Sequence, residues 1–335
     1  MLGVVLVVMI FNNVDRTILS ILVEPIKAEF GVSDTAMGAA MGLGMIAGGW
    51  INELHGWRMA FVAAGLPGIL LAGIVRFTVR EPRRGGSEVA PRSLVGESAQ
   101  QAVRYLLRRP TFRWILLANA IALFAAMGRN LWEPSFLIRT YELGTASAGT
   151  WYFVTSPLPS MLGIYLGGRF ADRLGVRDPR WYLWIPALGH LLSVPILLGF
   201  LLWPETDRIG VPAGLVPWIG IEGIPVAFVL STIGSVLGSF FTAPFLATIQ
   251  GIAKLRMRAL AAALSTMVSS FVGLAAGPLL VGLVSDSFQA SHGANALRYS
   301  LLIPTAAPIL SAIVCLFGAG AVGPDLERAA RDDEG

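Results

Sequence analysis

Four polar residues stand close together inside the first apolar stretch of the chain: Asn12, Asn13, Asp15 and Arg16. On a helix, Asn12, Asp15 and Arg16 share one face, because residues three and four positions apart are neighbours. An Asp or Arg at the centre of a bilayer costs about 2.5–3.5 kcal/mol when it is unpaired. We therefore expect this face to meet a cavity or a partner, with a structural ion pair near the membrane interface as the alternative.

A second charged pair lies far along the chain, where Arg129 and Glu133 are spaced i, i+4 and can pair on a helix. Asn130 lies beside them, and Pro134 predicts a helix break next to Glu133. Broken helices at membrane depth expose backbone to substrates in transport proteins. Because Glu133 is late in its segment, a substrate site and an outer gate or interfacial ion pair both remain open.

Two further positions are candidates for a polar cavity. His190 lies alone in an apolar segment, where a structural role is the main interpretation and a proton or substrate role the alternative. Thr242, together with Pro244 and Gln250, predicts a polar, kinked stretch that lines a cavity. The histidines are scattered, and neither a Gly-x-Ser-x-Gly elbow nor a phosphate-binding Gly-rich Lys motif occurs in the sequence. We expect no metal, no cofactor and no enzymatic activity.

The composition indicates that these residues lie in a lipid bilayer rather than in water. The chain has 335 residues, 55% of them hydrophobic and only 14% charged, against about 25% charged in soluble domains. Apolar stretches of roughly 20 residues recur, which fits membrane helices rather than the alternating strands of barrels. We predict an all-α integral membrane protein with about nine transmembrane helices. The apolar segments are 2–23, 36–51, 59–79, 113–138, 146–168, 181–203, 225–248, 259–284 and 298–321.

Charge divides the chain into parts. Between Arg76 and Arg113, Arg outnumbers Glu by nine to three, and such positive connections stay on the cytoplasmic side. The sequence therefore predicts a cytoplasmic basic linker over residues 80–112, with a short amphipathic helix near 101–109 on the membrane surface. The linker separates three apolar segments from six. The predicted parts are thus an incomplete bundle over 1–79, the linker, a six-helix bundle over 113–321 and a cytoplasmic tail over 322–335.

Loop charges agree with this orientation in the second half and conflict with it in the first. Residues 169–180 and 250–258 are basic and fall inside when crossings are counted from the linker. Counting backward also places residues 24–35 inside, but that connection is acidic. An odd number of crossings is therefore expected to be missing near residues 35–40. The overall charge of +4 lies in loops and orients the chain, so it does not indicate nucleic-acid binding.

The loop GGRFADRLGVRDPR, residues 167–180, resembles the cytoplasmic signature of the major facilitator superfamily. GWRMAF at 56–61 and GLAAGPLLVGLVSD at 273–286 resemble other parts of that pattern. The resemblance implies a major facilitator type helical bundle and a gating role for this loop. Its matching residues are Gly168, Asp172, Arg173, Gly175 and Arg177.

Within the superfamily, residues 12–38 and WEPSFLIR at 132–139 most resemble bacterial Spinster-like transporters. Such proteins have twelve helices, and this chain passes from helix 1 into a segment like helix 5. The block corresponding to helices 2–4 is therefore expected to be absent. Three crossings is an odd number, in agreement with the loop charges.

The resemblance implies a secondary active transporter for a small organic solute, an organic anion or a lysolipid, with Asp15 as the proton-coupling acid and Arg16 as its partner. We expect a monomer in the inner (plasma) membrane whose partners are the substrate, a proton and the lipid bilayer. The alternative is a truncated, non-transporting membrane protein or a partner subunit. The predicted substrate-cavity residues are Asn12, Asn13, Arg129, Asn130, Glu133, His190 and Thr242.

Overall fold

The chain is α-helical over nearly all of the residues that the structure, a computed structural model, describes: 99–210, 223–254 and 257–334, with a few positions between 50 and 65. Two short strands, β1 (Arg208–Ile209) and β2 (Ile224–Pro225), pair antiparallel at one end. The helices are α1 (Ala99–Arg108), α2 (Pro110–Tyr141), α3 (Thr145–Thr155), α4 (Pro157–Gly175), α5 (Trp181–Leu202), α6 (Val226–Gly238), α7 (Thr242–Ile252), α8 (Arg258–Ser270), α9 (Gly277–His292), α10 (Ala296–Ala306), α11 (Pro308–Gly318) and α12 (Val322–Glu334).

Five helical runs among these residues are long and apolar enough to cross a membrane. They coincide with five of the six segments predicted after the linker, which confirms a multi-pass α-helical membrane protein. The sixth predicted segment corresponds to α3 and α4, and α4 ends in the basic signature loop. The runs are Pro110–Tyr141, Trp181–Leu202, Val226–Ile252, Arg258–His292 and Ala296–Asp332.

Regular α-helix is interrupted within several of the segments predicted after the linker. Ser156, with φ −125° and ψ −73°, separates α3 from α4, and Pro157 follows it as the first residue of α4. A short turn separates α6 from α7. A π-helical stretch, Phe271–Ala276, joins α8 to α9. Each interruption shifts the helical register, so the two parts of a run can present different faces to their neighbours.

The buried side chains of the bundle form two clusters. One contains Phe112, Phe245 and Ile252 and lies where α1 and α12 meet α2 and α7. The other contains Phe136 and Phe228 and surrounds the far end of α2. Large apolar side chains also cover the outside of the bundle, as lipid-facing helices require.

Helix α1 confirms the short helix predicted near 101–109, and its Ala102 and Leu106 are buried against the bundle. The predicted tail, in contrast, forms a regular helix, α12, that packs against α7 and α2 and contacts α1 through Asp332. Arg109 forms ion pairs with Asp325 and Asp332 of this helix. The last fourteen residues are therefore largely part of the folded bundle.

Tyr105 on α1 belongs to the same contact. Its hydroxyl donates a hydrogen bond of 2.7 Å to Asp332 Oδ2. Partial burial, and after it the hydrogen bond with Asp332, raises the pKa of Tyr105 above its usual value of 10.0. The hydroxyl therefore keeps its proton at neutral pH and remains a donor to the carboxylate.

Candidate functional site

The centre of the candidate site is the ion pair of Arg129 and Glu133 on α2. Helix α2 continues from Pro110 to Tyr141 through Pro134, so the predicted break at Pro134 is wrong. The i, i+4 spacing therefore operates on an intact helix, and Arg129 Nη2 donates to Glu133 Oε2 at 3.1 Å. The predicted pairing of these two residues is confirmed.

Glu133 is buried, with 1% of its surface exposed. Its second oxygen, Oε1, accepts a hydrogen bond of 3.2 Å from Ser231 Oγ on α6. Both carboxylate oxygens are thus occupied by donors from two helices. Because an unpaired buried carboxylate is very costly, Arg129 and Ser231 together make the position of Glu133 tolerable.

Arg129 is more accessible than its partner. Its side chain is 15% exposed, against 2% for that of Glu133. A guanidinium group carries five N–H donors, and the hydrogen bond with Glu133 uses one of them. The hydrogen bond with Glu133 therefore leaves other N–H donors of the Arg129 guanidinium for a second acceptor.

Among the described residues, α3 and α9 also contribute to the surroundings of the pair. Tyr152 on α3 is buried and interacts electrostatically with both Glu133 and Arg129. Trp132 Nε1 donates to the carbonyl oxygen of Pro278 on α9 at 3.0 Å, which fixes the indole beside the pair. Asn130 is half-buried on the same turn of α2.

A separate polar contact lies two to three turns earlier on α2. Asn119 Nδ2 donates to Ser269 Oγ at 2.9 Å and to Ser265 Oγ at 3.4 Å on α8. The sequence interpretation missed Asn119, Ser231 and Tyr152. Uncharged residues of these types occur throughout the chain, and no local spacing connects Ser231 to Glu133, 98 positions earlier.

His190 and Thr242 are not joined to this pair by any hydrogen bond among the residues that the structure describes. His190 is 1% exposed on α5, and its ring centroid lies 5.1 Å from that of Phe241. Its Nδ1 has no hydrogen-bond partner within the described ranges. Thr242 is exposed at the start of α7. Their assignment to a substrate cavity stays a prediction.

The signature loop ends α4 and packs against α5. Asp172 Oδ1 accepts a hydrogen bond of 3.2 Å from the Tyr182 hydroxyl. A Cβ at Gly175 would lie 2.5 Å from the Tyr182 ring, so this contact requires a glycine. The remaining motif residues are the exposed Arg173 and Arg177 and the half-buried Gly168, which lies against α7.

The predicted proton-coupling residues, Asp15 and Arg16, lie outside the described residues, as do Asn12 and Asn13. Within the described ranges, no group of three or more His, Cys, Asp or Glu side chains could hold a metal ion.

Comparison of the sequence with known protein families identifies the family of this chain. A model of the Major Facilitator Superfamily matches residues 27–210. An "MFS-type efflux pump" of Mycolicibacterium smegmatis is 29% identical over 295 residues, covering 88% of this chain and 63% of that protein. "Protein spinster homolog 3" of Danio rerio is 27% identical over 281 residues, covering 78% of this chain and 53% of the relative.

A "Cis,cis-muconate transport protein" of Acinetobacter baylyi is 28% identical over 205 residues, which are 56% of this chain and 47% of that protein. The chain thus spans less than two thirds of the length of these relatives. Among solved structures, a bacterial homolog of the human lysosomal transporter Spinster, inward-facing and unoccupied, gives a TM-score of 0.69. At 23% identity, with 86% of this chain and 66% of that one covered, this similarity concerns the fold.

Proposed function

Because this chain belongs to the Major Facilitator Superfamily, we propose that it moves a small organic solute across a membrane as a secondary active transporter working by alternating access. The observation that carries the proposal is the buried pair of Arg129 and Glu133, held by Ser231 inside a membrane-length helix. Ionisable residues at such depth are expensive and mark substrate or ion pathways. The efflux pump and the muconate transport protein among the relatives support the same activity.

The proposed substrate is an organic anion, because Arg129 offers accessible positive charge within the bundle. A planar guanidinium binds a carboxylate through parallel hydrogen bonds. The relative that transports cis,cis-muconate handles such a compound. A lysolipid remains a second substrate class, since its phosphate is also an anion. We place the protein in the plasma membrane as a monomer, with Asp15 and Arg16 coupling a proton to transport.

Uptake by proteoliposomes tests this proposal. We expect the purified full chain to accumulate radiolabelled cis,cis-muconate when the outside is made acidic. Loss of one charge-assisted hydrogen bond costs about 1.5–3 kcal/mol, so Arg129→Gln should lower uptake roughly tenfold or more. Arg208→Gln is the matched control, because Arg208 is exposed on β1, outside the membrane-length runs.

The same assay separates transport from the alternative of a non-transporting membrane protein or partner subunit. That alternative is favoured by the length of the match, which covers 53% of the spinster homolog. If the full chain shows no uptake or exchange of muconate, other organic acids or lysolipids, while remaining folded and monodisperse, transport by this chain alone is refuted.

A further inference from the structure

We propose that the exposed face of α1 binds the headgroup of an anionic phospholipid, of the phosphatidylglycerol type, through Arg104 and Arg108. This face lies at the predicted cytoplasmic end of the bundle, apart from the candidate substrate site. The inference is independent of the proposed transport function, because it concerns the surface that the bundle presents to the membrane.

Helix α1 has a buried face and a charged face on opposite sides. Ala102 and Leu106, four residues apart, are buried against the bundle. Arg104 and Arg108 are also four residues apart, and both are exposed. At 3.6 residues per turn, each arginine lies about 160° around the helix axis from Leu106. The two guanidinium groups therefore share the face that points away from the bundle.

The level of α1 relative to the bilayer follows from α2, from which Arg109 alone separates it. Arg113 and Arg139, near the two ends of α2, are both exposed. At 1.5 Å per residue they lie about 39 Å apart along the helix, close to the roughly 40–45 Å thickness of a bilayer with its headgroups. Leu117, one turn inward from Arg113, is 49% exposed, as a residue facing hydrocarbon should be. Helix α1 therefore lies at the level of the lipid headgroups.

The charges of Arg104 and Arg108 are not neutralised by other described residues. Helix α1 itself contains no acidic residue. Two acids reach this end of the bundle from the tail, Asp325 and Asp332, and both form ion pairs with Arg109. Within the described ranges, neither Arg104 nor Arg108 takes part in an ion pair. The exposed face of α1 thus carries two positive charges that an anion from the membrane can balance.

The side chains around the two arginines favour a lipid over a soluble anion. Leu107, between them in the sequence, is 42% exposed. Exposed apolar and basic side chains on one helix are typical of the membrane interface, where aliphatic groups reach the hydrocarbon and guanidinium groups stay among the phosphates. Arg258, the first residue of α8, is also exposed, and α8 contacts α1. The surface therefore combines a further cation with an apolar contact.

The net charge of the lipid determines the selectivity of this surface. A guanidinium group binds a phosphate through parallel hydrogen bonds. Residues four apart on a helix have Cβ atoms about 5–6 Å apart, so both arginines can bind one headgroup. Phosphatidylglycerol keeps the full negative charge of its phosphate. Phosphatidylcholine carries a cationic choline group that offsets this charge and is repelled by the arginines. We therefore expect selection of the anionic lipid.

Native mass spectrometry of the purified full chain, in detergent with equal amounts of phosphatidylglycerol and phosphatidylcholine, measures which lipid stays bound. The wild type should retain phosphatidylglycerol in preference. Each basic residue near an anionic membrane surface strengthens binding about fivefold. Arg104→Gln/Arg108→Gln should therefore lower the preference for phosphatidylglycerol about tenfold or more.

The matched control is Arg328→Gln/Arg331→Gln, which removes the same charge on the same predicted side of the membrane. Arg328 and Arg331 are exposed on α12, but they pair with Asp325 and Glu327 of their own helix. This variant should retain phosphatidylglycerol as the wild type does. An equal loss of phosphatidylglycerol in both double variants, or no preference for it in the wild type, overturns the inference.

A second measurement needs no variant and separates a lipid from a soluble anion. Hydrogen exchange of the α1 peptide is compared for the wild type in phosphatidylcholine nanodiscs with and without phosphatidylglycerol. Exchange should be slower by about twofold or more with the anionic lipid, because binding stabilises the bound conformation, and unchanged when glycerol 3-phosphate is added to phosphatidylcholine nanodiscs. Equal exchange with and without phosphatidylglycerol overturns the inference, and equal protection by glycerol 3-phosphate refutes a lipid as the ligand.

Discussion

At the scale of single residues, the packing of α2 against α9 depends on two glycines. A Cβ at Gly277 would lie 2.6 Å from the carbonyl oxygen of Phe124 and 2.9 Å from the nitrogen of Gly128. Both are backbone atoms of α2, which cannot turn aside as a side chain can. Small residues allow this kind of close helix approach in membranes. The crossing also holds α2 where Arg129, the next residue after Gly128, carries the ion pair.

We therefore predict that Gly277→Ala forces α2 and α9 apart and destabilises the protein by about 1–3 kcal/mol, as overpacking of a dense core does. The matched control is Gly320→Ala, because a Cβ at Gly320 meets nothing within 4 Å. The apparent melting temperature of the purified protein should fall in the first variant only. Equal melting temperatures for the two variants would contradict the close crossing.

The ion pair shows what can be predicted about single residues. The spacing of Arg129 and Glu133 is local, so a helix alone brings them together. Ser231 is supplied by tertiary packing, and no local pattern marks it. The error at Pro134 has a physical reason: neighbouring helices and small register adjustments let a membrane helix continue through a proline. Composition alone does not distinguish this case from a break.

At the scale of elements, helix α3 receives its N-terminal cap from a distant part of the chain. Its N-cap residue, Gly144, has no side chain to supply a hydrogen bond. The carboxylate of Glu53 accepts a hydrogen bond of 2.8 Å from the backbone N–H of Ala146 instead. A negative charge at a helix N-terminus is also favourable to the helix dipole. Glu53, which lies between the apolar segments predicted over 36–51 and 59–79, thus contacts the N-terminal end of α3.

We predict that Glu53→Ala frees the amide of Ala146 and weakens the first turn of α3 by about 0.5–1 kcal/mol, the usual contribution of a cap at an exposed position. Hydrogen exchange of the peptide that contains Ala146 should accelerate about two- to fivefold. Glu327→Ala is the control, because Glu327 is exposed and forms only a surface pair with Arg331. Unchanged exchange in Glu53→Ala would contradict capping by Glu53.

Helix α12 also supplies a distant cap, to the first turn of α2, and it contacts Arg109 between α1 and α2. Asp325, 1% exposed, accepts a hydrogen bond of 3.0 Å from the backbone N–H of Thr111 in the first turn of α2. The same carboxylate lies 3.9 Å from Arg109 and 3.4 Å from Arg328. One side chain therefore caps α2 and holds the end of the predicted linker to the tail.

Removal of this carboxylate should loosen two helices together. We predict that Asp325→Ala leaves the Thr111 amide without its buried acceptor and Arg109 with Asp332 as its remaining ion-pair partner, at a cost of about 1–3 kcal/mol. Hydrogen exchange should accelerate in the peptides of both α1 and α12. Glu327→Ala again serves as the control, since it lies on α12 without a buried contact. Acceleration confined to α12 would contradict the joint role of Asp325.

The tail also shows the limit of prediction at this scale. Residues 322–335 are polar and charged, and a hydropathy pattern assigns such a segment to solvent. Its helix is stabilised by Val322 and Ala329, which are buried against the bundle, and by the ion pairs of Asp325. The hydrogen bonds of Asp325 with Thr111 and of Asp332 with Arg109 join residues more than 200 positions apart. The apolar length of membrane helices, in contrast, is a local property, and five membrane-length runs appear where it predicts them.

At the scale of the whole molecule, helix α5 separates a loop that is predicted to be cytoplasmic from a hairpin that is predicted to lie on the outer side of the membrane. Helix α5 spans 22 residues, Trp181–Leu202, which at 1.5 Å per residue is about 33 Å, the thickness of a bilayer core. The basic signature loop with Arg173 precedes this helix, and the hairpin with Arg208 follows it. The two arginines must therefore lie on opposite sides of the membrane, and the charge rule places Arg173 inside.

We predict that, in a Cys315→Ala background, Arg208→Cys reacts with a membrane-impermeant maleimide in intact cells while Arg173→Cys reacts only after permeabilisation. Both positions are exposed, so a difference in labelling reports sidedness rather than burial. Cys315 is replaced because it is the single cysteine of the chain. If Arg173→Cys is labelled in intact cells and Arg208→Cys is protected, the predicted orientation is wrong. The signature loop, α1 and α12 would then lie on the outer side of the membrane. The length of α5, its apolar composition and the family fold all require that this helix crosses the bilayer. Labelling of both positions in intact cells would contradict that crossing.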